Sequence, residues 1–277
     1  MIVYPSDEEF LLTKNQMFMR KFNMHFSALL FTFLLTASVT VMAQEKKEDK
    51  LSLSLALNHD AFFGFNPAVT ASYPVGKKAD LTFYGIQWGA GTASAWGSWT
   101  EFGLGVNLKS GNFAINPQLG FTMGNLLSRG ASGIELSEDV TVPRGVVGDG
   151  IVPNLTVNYD DSKIIGQFYG GYYAAFRNET GPGQSTLNYV HYWLNVGGKI
   201  TPWLALGAHF ENLNLAGGKK YGGGTTAAAD YYQWIGPFVQ VAKGAGGMRF
   251  SFGTDLTDYK KSNSSNDFYK LSFFFNF

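Results

Sequence analysis

Cysteine is absent from the 277 residues, and charged side chains are scarce. The absence of cysteine excludes a disulfide framework, a thiolate nucleophile and cysteine-ligated zinc or iron–sulfur sites. Charged residues make up 15% of the chain, against about 25% in an average protein, and the 21 basic and 21 acidic residues cancel. A balanced charge lacks the basic footprint of a nucleic-acid-binding protein, so we expect no nucleic-acid partner.

Long apolar runs are also missing. The most apolar stretch, residues 26–37, follows Arg20 and Lys21 and is shorter than the about 20 residues of a membrane-spanning helix. A basic segment, a short apolar segment and a small residue before the cleavage point are typical of a secretory signal peptide. We therefore predict a signal peptide over residues 1–43, cleaved after Ala43, and a single mature domain over residues 44–277. Acidic residues precede Arg20, which favours a misassigned translation start for residues 1–16.

The chain is rich in glycine, with 34 residues, and in aromatic side chains, at 16%. Many of its apolar residues alternate with small or polar ones. Phe102, Leu104 and Val106, for example, alternate with Glu101 and Gly103. This period of two is typical of β-strands with one apolar and one polar face.

Short turn sequences and longer glycine-rich segments alternate between these strands. The pattern predicts about twelve strands of roughly 9–13 residues, which suits the about 9–11 residues of a tilted membrane-crossing strand. Their approximate spans are 50–58, 64–74, 79–88, 98–109, 112–123, 151–160, 163–176, 186–200, 203–215, 229–242, 246–257 and 266–277. The first strand is the least well defined, and ten strands is the alternative.

The polar face of the strands favours a membrane barrel over a soluble sandwich. It consists mainly of Gly, Ser, Thr, Asn and Gln, whereas a solvated surface carries about 25–35% charged residues. Alternating short and long connections are typical of outer-membrane barrels. We therefore predict an all-β, closed antiparallel transmembrane β-barrel with short periplasmic turns and longer extracellular loops.

Aromatic residues near strand ends predict two interfacial girdles. On the long-loop side these are Trp88, Trp96, Trp99, Tyr172, Tyr173, Tyr189, Tyr231, Tyr232, Phe268 and Tyr269; on the turn side they are Tyr73, Tyr159, Trp203 and Phe277.

The last strand carries the sharpest signal, because Tyr269, Leu271, Phe273, Phe275 and the final Phe277 occupy every second position. This pattern resembles the C-terminal assembly signature of Gram-negative outer-membrane β-barrels. The resemblance implies an outer-membrane location reached through the periplasm. It also implies two partners, outer-membrane lipid and the barrel-assembly machinery. By architecture alone, the mature chain is similar to uncharacterised, porin-like barrels of Bacteroidota-type bacteria, and no family function carries over.

Sequence signatures of catalysis are missing. The chain has no phosphate-binding loop, no H-E-x-x-H and no serine flanked by glycines in the hydrolase pattern. We therefore expect no catalytic residue, no cofactor and no metal site. His191, His209 and Glu211 share the polar face, where a metal or proton-relay site is an alternative to a hydrogen-bonded network, but they lack a ligand motif. An outer-membrane phospholipase is a remote alternative, since both histidines point inward.

The polar face places charged and titratable side chains in the lumen. The lumen-facing candidates are Glu101, Lys109, His191, His209, Glu211, Arg249, Asp255 and Lys270. Their mixed signs predict no strong ion selectivity. Two functions remain open: a barrel that passes or binds small solutes through a narrow polar lumen, or a structural or surface-interaction barrel with a filled lumen. We expect residues 124–150 to form an exterior loop, with an inward plug as the alternative.

Overall fold

A computed structural model describes residues 51–89, 99–124, 126–128, 134–137, 140–142, 146–176, 185–257 and 266–277. The predicted cleavage after Ala43 and the predicted girdle residue Trp96 lie outside these ranges. Within the described ranges, no helix is long and apolar enough to cross a bilayer.

All regular elements among the described residues are strands. The strands are β1 (Ser52–Asp60), β2 (Gly64–Pro74), β3 (Ala79–Trp88), β4 (Trp99–Ser110), β5 (Phe113–Gly124), β6 (Ile134–Ser137), β7 (Val140–Val142), β8 (Val146–Asp160), β9 (Ile164–Ala175), β10 (Asn188–Thr201), β11 (Leu204–Gly217), β12 (Ala229–Lys243), β13 (Gly246–Asp255) and β14 (Asp267–Asn276). Twelve of them close a barrel, and β6 and β7 form a separate two-stranded sheet.

The barrel closes because its first and last strands pair. Strands β1 and β14 are antiparallel, with Leu55 opposite Phe275 and Asp60 opposite Lys270. The other neighbouring strands follow one another in order around the wall, with β5 next to β8. The predicted closed antiparallel barrel of twelve strands is therefore confirmed, and the ten-strand alternative is wrong. Strand β8 begins five residues earlier than the predicted 151, because residues 146–150 extend the wall.

The two ends of the barrel differ in their connections. At one end, which we call the short-turn end, a few residues join β2 to β3, β4 to β5, β8 to β9, β10 to β11 and β12 to β13. Gly111 and Gly244 have φ values of 57° and 62° in two of these turns, a conformation that favours glycine. The opposite, long-loop end carries the longer connections and one short turn between β1 and β2. In outer-membrane barrels the short turns face the periplasm.

Large apolar side chains cover the outside of the barrel. Examples exposed on different strands are Leu104, Phe121, Leu194, Leu206, Phe252 and Phe273. Closure gives each barrel strand a hydrogen-bonded neighbour on both sides. A membrane-spanning structure needs this, because the hydrocarbon core offers no other partner for backbone N–H and C=O groups. An apolar exterior around an interior that buries charged side chains such as Glu101 and Glu211 is the reverse of a soluble barrel. The protein is thus a transmembrane β-barrel of the bacterial outer-membrane type.

Six of the nine described residues of the predicted long-loop girdle lie inside the barrel instead of facing lipid. Trp88 and Trp99 are only 6% and 5% exposed. The same correction applies to Tyr173, Tyr189, Tyr232 and Phe268, which are all buried. Tyr172 and Tyr269 do lie on the exposed outer face. The prediction failed because consecutive strand residues point to opposite faces, so that position near a strand end does not decide the environment.

Candidate functional site

The lumen is divided into two halves. The half nearer the long loops is filled by buried apolar and aromatic side chains, which we call the aromatic plug. Its main members are Phe63, Trp88, Trp99, Leu127, Tyr173, Leu187, Tyr189, Leu213, Tyr232, Trp234 and Phe268. The gap left among them measures about 10 Å³, which is the space of a single water molecule.

The rings of the plug contact their neighbours along the wall, and Phe63 also faces Tyr232 across the lumen, with ring centroids 6.4 Å apart. The ring centroids of Phe63 and Trp88 are 4.7 Å apart, and Trp88 stacks with Trp99 at 6.0 Å. On the other side, Trp234 stacks on Tyr232 at 4.0 Å and on Phe268 at 4.9 Å. Offset and edge contacts of this kind stabilise aromatic pairs beyond their burial. The plug is therefore a packed layer that spans the barrel.

Part of the loop between β5 and β8 belongs to the plug. Leu127 is fully buried, and the Asp149 carboxylate accepts hydrogen bonds from the backbone N–H groups of Leu127 and Ser128, at 2.7 and 2.9 Å. The Leu127 carbonyl in turn accepts the N–H of Leu187, at 2.8 Å. The expectation that residues 124–150 form only an exterior loop is therefore wrong for this part of the loop. Its backbone polar groups are paired by the barrel wall, which makes burial possible.

Glu101 is a buried acid held by neutral donors. It is 1% exposed, and its Oε1 accepts the Tyr84 hydroxyl at 2.7 Å. Its Oε2 accepts Trp88 Nε1 at 2.9 Å and the Tyr173 hydroxyl at 3.1 Å. Because β9 is not adjacent to β4, the contact with Tyr173 crosses the interior. Glu101 therefore ties two plug residues to the wall.

Glu211 is the centre of a second buried network. Its Oε1 accepts His191 Nε2 at 2.9 Å and the Tyr232 hydroxyl at 2.8 Å. Its Oε2 accepts Lys270 Nζ at 2.6 Å and lies 3.3 Å from His209 Nε2. A carboxylate with this many donors is well compensated despite its complete burial. In the part of the chain that the structure describes, no cluster of three or more acidic or histidine side chains is arranged to hold a metal ion.

The remaining candidates lie at the two ends. Asp255 accepts Trp234 Nε1 at 3.1 Å and the N–H of Gln233 at 3.0 Å, at the long-loop end. Lys109, whose side chain is 49% exposed, pairs with Asp80 at 2.8 Å near the short-turn end. Thus His191, His209, Glu211 and Lys270 come together, whereas Glu101, Asp255 and Lys109 belong to separate contacts.

A cavity of about 370 Å³ occupies the lumen on the short-turn side of the plug. Its lining side chains are mostly polar: Ala56, Asn58, Asn66, Ile86, Trp88, Gln167, Trp193, Asn195, His209, Gln240, Arg249, Ser251, Lys270, Ser272 and Phe274. Closer to the short-turn end, Asn107 is half-buried and the Lys109 side chain is 49% exposed. The cavity is a polar chamber with an aromatic ceiling formed by the plug.

Arg249 projects into this chamber. Its Nε and Nη2 donate to Gln240 Oε1, at 2.9 and 2.6 Å, and its Nη1 donates to Gln167 Oε1 at 3.0 Å. The guanidinium carbon lies 5.1 Å from the centroid of the Phe238 ring. Across the chamber ceiling, the Lys270 ammonium lies 5.0 Å from the centroid of the Trp193 ring.

Glycines on the inner face make room for the large interior rings. A Cβ atom on Gly171 would lie 2.6 Å from the Tyr169 hydroxyl. A Cβ atom on Gly197 would lie 2.6 Å from the Phe238 ring. At these two positions the absence of a side chain on the wall makes room for an interior aromatic ring.

Sequence reasoning missed several interior residues. Asp80, Tyr84 and Trp88 share the inward face of β3 and are detectable by parity, since they alternate with the lipid-facing Leu81 and Phe83. Asp149 fell inside a predicted loop, and no local pattern marks it. Gln240 is the hairpin partner of Arg249 on the neighbouring strand, whereas the contact of Gln167 with Arg249 requires the closed barrel.

The DUF6733 model, which describes a family of unknown function, matches residues 19–277. The chain belongs to this family. No curated protein matches it.

Solved structures similar to this DUF6733 chain are outer-membrane proteins. An outer-membrane channel from Pseudomonas putida F1 is 12% identical, with a TM-score of 0.48 over 84% of this chain and 100% of that one. A loop-deletion mutant of OmpT, an outer membrane protein of Vibrio cholerae, is 11% identical, with a TM-score of 0.39 over 82% and 98%. LpxR from Salmonella typhimurium is 12% identical, with a TM-score of 0.39 over 81% and 99%. At these identities the likeness concerns the fold alone.

Proposed function

We propose that the protein is a solute-binding outer-membrane barrel that takes a small polar molecule into its short-turn chamber and does not pass it through the plug. The division of the lumen supports this proposal. A chamber of about 370 Å³ lies at the lower end of the about 300–1,000 Å³ of ligand pockets. Amide, hydroxyl and cationic groups converge on it, as they do in sites that orient a ligand.

A structural or surface-interaction barrel is the second candidate, and the filled half of the lumen favours it. The polar chamber argues against it, because a barrel that needs only to be rigid gains nothing from a polar cavity beside a packed layer. Ligand binding in the chamber separates the two.

Conductance in planar bilayers tests the blocked lumen. We expect no steady step currents from the wild-type protein. A variant that removes three plug rings, Phe63→Ala with Trp88→Ala and Trp99→Ala, is expected to conduct. Trp203→Ala, which removes an exposed outward ring, is the matched control and stays silent. Steady conductance by the wild-type barrel would contradict the block.

Fluorescence of Trp193 tests solute binding. Trp193 lines the chamber, so its signal is obtained by subtracting the spectrum of a Trp193→Phe variant. The probes are a neutral hexose, succinate and inorganic phosphate, titrated to millimolar concentrations. A saturable change with at least one probe supports the solute-binding barrel. No change with any of them would favour the structural barrel.

We expect no enzymatic activity from this chain. His191 and His209 are buried in the Glu211 network inside the lumen, away from the lipid. Incubation of the pure protein with phospholipid vesicles is expected to release no fatty acid. Hydrolysis that disappears in His191→Ala would establish the phospholipase alternative.

A further inference from the structure

We infer that the short-turn chamber selects a small solute bearing an oxyanion, a carboxylate or a phosphate, and binds it between Arg249 and Lys270. This inference rests on the proposed solute-binding function and specifies its ligand class. The sequence predicts lumen charges of mixed sign. In the folded barrel the charged side chains that line the chamber, among the described residues, are basic.

Arg249 supplies the first binding group. A guanidinium has five N–H donors in a fixed fork. Arg249 makes two hydrogen bonds to Gln240 and one to Gln167. Both partners are neutral amides that accept through Oε1, so the charge of Arg249 is held in place without being cancelled. In the described part of the chain, the ion pairs contain no partner for Arg249.

Lys270 supplies the second binding group. Register places Ser272 directly opposite Arg249 on the neighbouring strand, so Lys270 is the diagonal neighbour of Arg249 on the same inner face. Diagonal neighbours in an antiparallel pair are about 7–8 Å apart, which leaves room for a small anion to contact both side chains. His209 lies in the same chamber wall.

Acidic side chains are absent from the described residues that line the chamber. Glu211 is not among the lining residues. It forms an ion pair with Lys270, and its oxygens also accept hydrogen bonds from His191 and Tyr232. Glu101 and Asp255 are engaged within the plug. Asp60, directly opposite Lys270 on β1, accepts the N–H groups of Phe62 and Phe63 and the side-chain amide of Asn66. Carboxylates therefore compensate Lys270, whereas Arg249 is the chamber cation held by neutral amides alone.

The chemistry of these groups fits an oxyanion. A guanidinium matches the planar geometry of carboxylate and phosphate oxygens and binds them through paired hydrogen bonds. A cation in a low-dielectric wall without a counter-charge is costly, so an anion from solution gains more there than a neutral solute. The two glutamines orient the fork, and Gln240 is accordingly a positioning residue.

Isothermal calorimetry on the detergent-solubilised full barrel, with succinate, inorganic phosphate and a neutral hexose as probes, tests the inference. We expect succinate or phosphate to bind at least tenfold more tightly than the hexose. Arg249→Gln is expected to weaken anion binding about tenfold or more and to leave hexose binding unchanged. Lys109→Gln removes a lumen cation that pairs with Asp80 outside the chamber, and this matched control keeps wild-type anion affinity.

A second variant covers the case in which Arg249→Gln does not fold. Ser272→Asp keeps Arg249 and places a carboxylate opposite it in the chamber wall, and it is expected to abolish succinate and phosphate binding. Hexose binding as tight as anion binding would overturn the anion inference and leave the solute-binding barrel standing. No binding of any probe would overturn both. If Lys109→Gln lost as much anion affinity as Arg249→Gln, the effect would come from the overall charge of the lumen. That result would also overturn the proposed site between Arg249 and Lys270.

Discussion

The carboxylate of Asp149, on the barrel wall, accepts the backbone N–H of Leu127 at 2.7 Å. Through this bond β8 holds part of the preceding loop inside the lumen. The adjacent Ser128 adds its own N–H at 2.9 Å and its hydroxyl at 2.5 Å to the same carboxylate. Three donors converge on one buried carboxylate. The barrel wall thus pairs the backbone N–H groups of this loop segment and holds the Leu127 side chain in the plug.

Asp149→Ala is expected to release this loop segment. Removing the acceptor leaves buried N–H groups unpaired, and we expect a loss of about 2–4 kcal/mol in the free energy of unfolding. The measurement is urea unfolding of the barrel in lipid, together with acrylamide quenching of the plug tryptophans, which should increase. Asp161→Ala is the matched control. Asp161 lies in the exposed turn between β8 and β9, where hydrogen bonds from the Tyr159 hydroxyl and from two backbone N–H groups lower its pKa. Because this turn is outside the plug, the loss of Asp161 should leave the quenching of the plug tryptophans unchanged.

Gly171→Ala is expected to strain the interior packing. The new methyl group would press on the Tyr169 hydroxyl, and we expect a cost of about 1–3 kcal/mol in unfolding free energy. In the background of Tyr169→Phe, which lacks that hydroxyl, the same substitution should cost clearly less. Gly198→Ala, where a Cβ meets no atom within 4 Å, is the control. An equal cost of Gly171→Ala in both backgrounds would contradict the contact.

Glu211→Gln is expected to destabilise the barrel because it leaves Lys270 without its buried counter-charge. Breaking one side of a buried ion pair costs about 3–5 kcal/mol. The double variant Glu211→Gln with Lys270→Met removes both charges and should recover a large part of that loss. Urea unfolding of the two single variants and the double variant gives the coupling energy. Additive effects would show that the two side chains do not depend on each other.

Phe277→Ala is expected to slow assembly of the barrel into the outer membrane while leaving the finished fold intact. The backbone of Phe277 still bonds to Leu53 across the closure, at 2.8 Å. Only the terminal aromatic side chain, which resembles the assembly signature, is lost. Pulse-chase appearance of the folded, faster-migrating band measures the rate, and we expect a several-fold reduction. Phe113→Ala, which removes an exposed aromatic from an internal strand, should assemble at the wild-type rate.

Alternation predicted most of the wall and part of the interior. Arg249 and Lys270 were assigned to the polar face of their strands by parity, and both line the chamber. Trp88 shows where this reasoning failed, since its place near a strand end suggested a lipid interface, although parity already put it inside. The arrangement of the candidates followed from no local pattern, because Arg249 meets Gln167 across 82 positions of sequence.

The sequence by itself determined the twelve strands, their two faces and the asymmetry of their connections, because a period of two and turn-forming residues act over a few neighbouring positions. Only the tertiary structure decided which end of the lumen is filled and which holds a chamber. It also decided that acids are buried in the plug while Arg249 and Lys270 face the cavity. Those properties depend on side chains from distant strands meeting inside a closed wall. Closure sets their distances, and no stretch of sequence contains them.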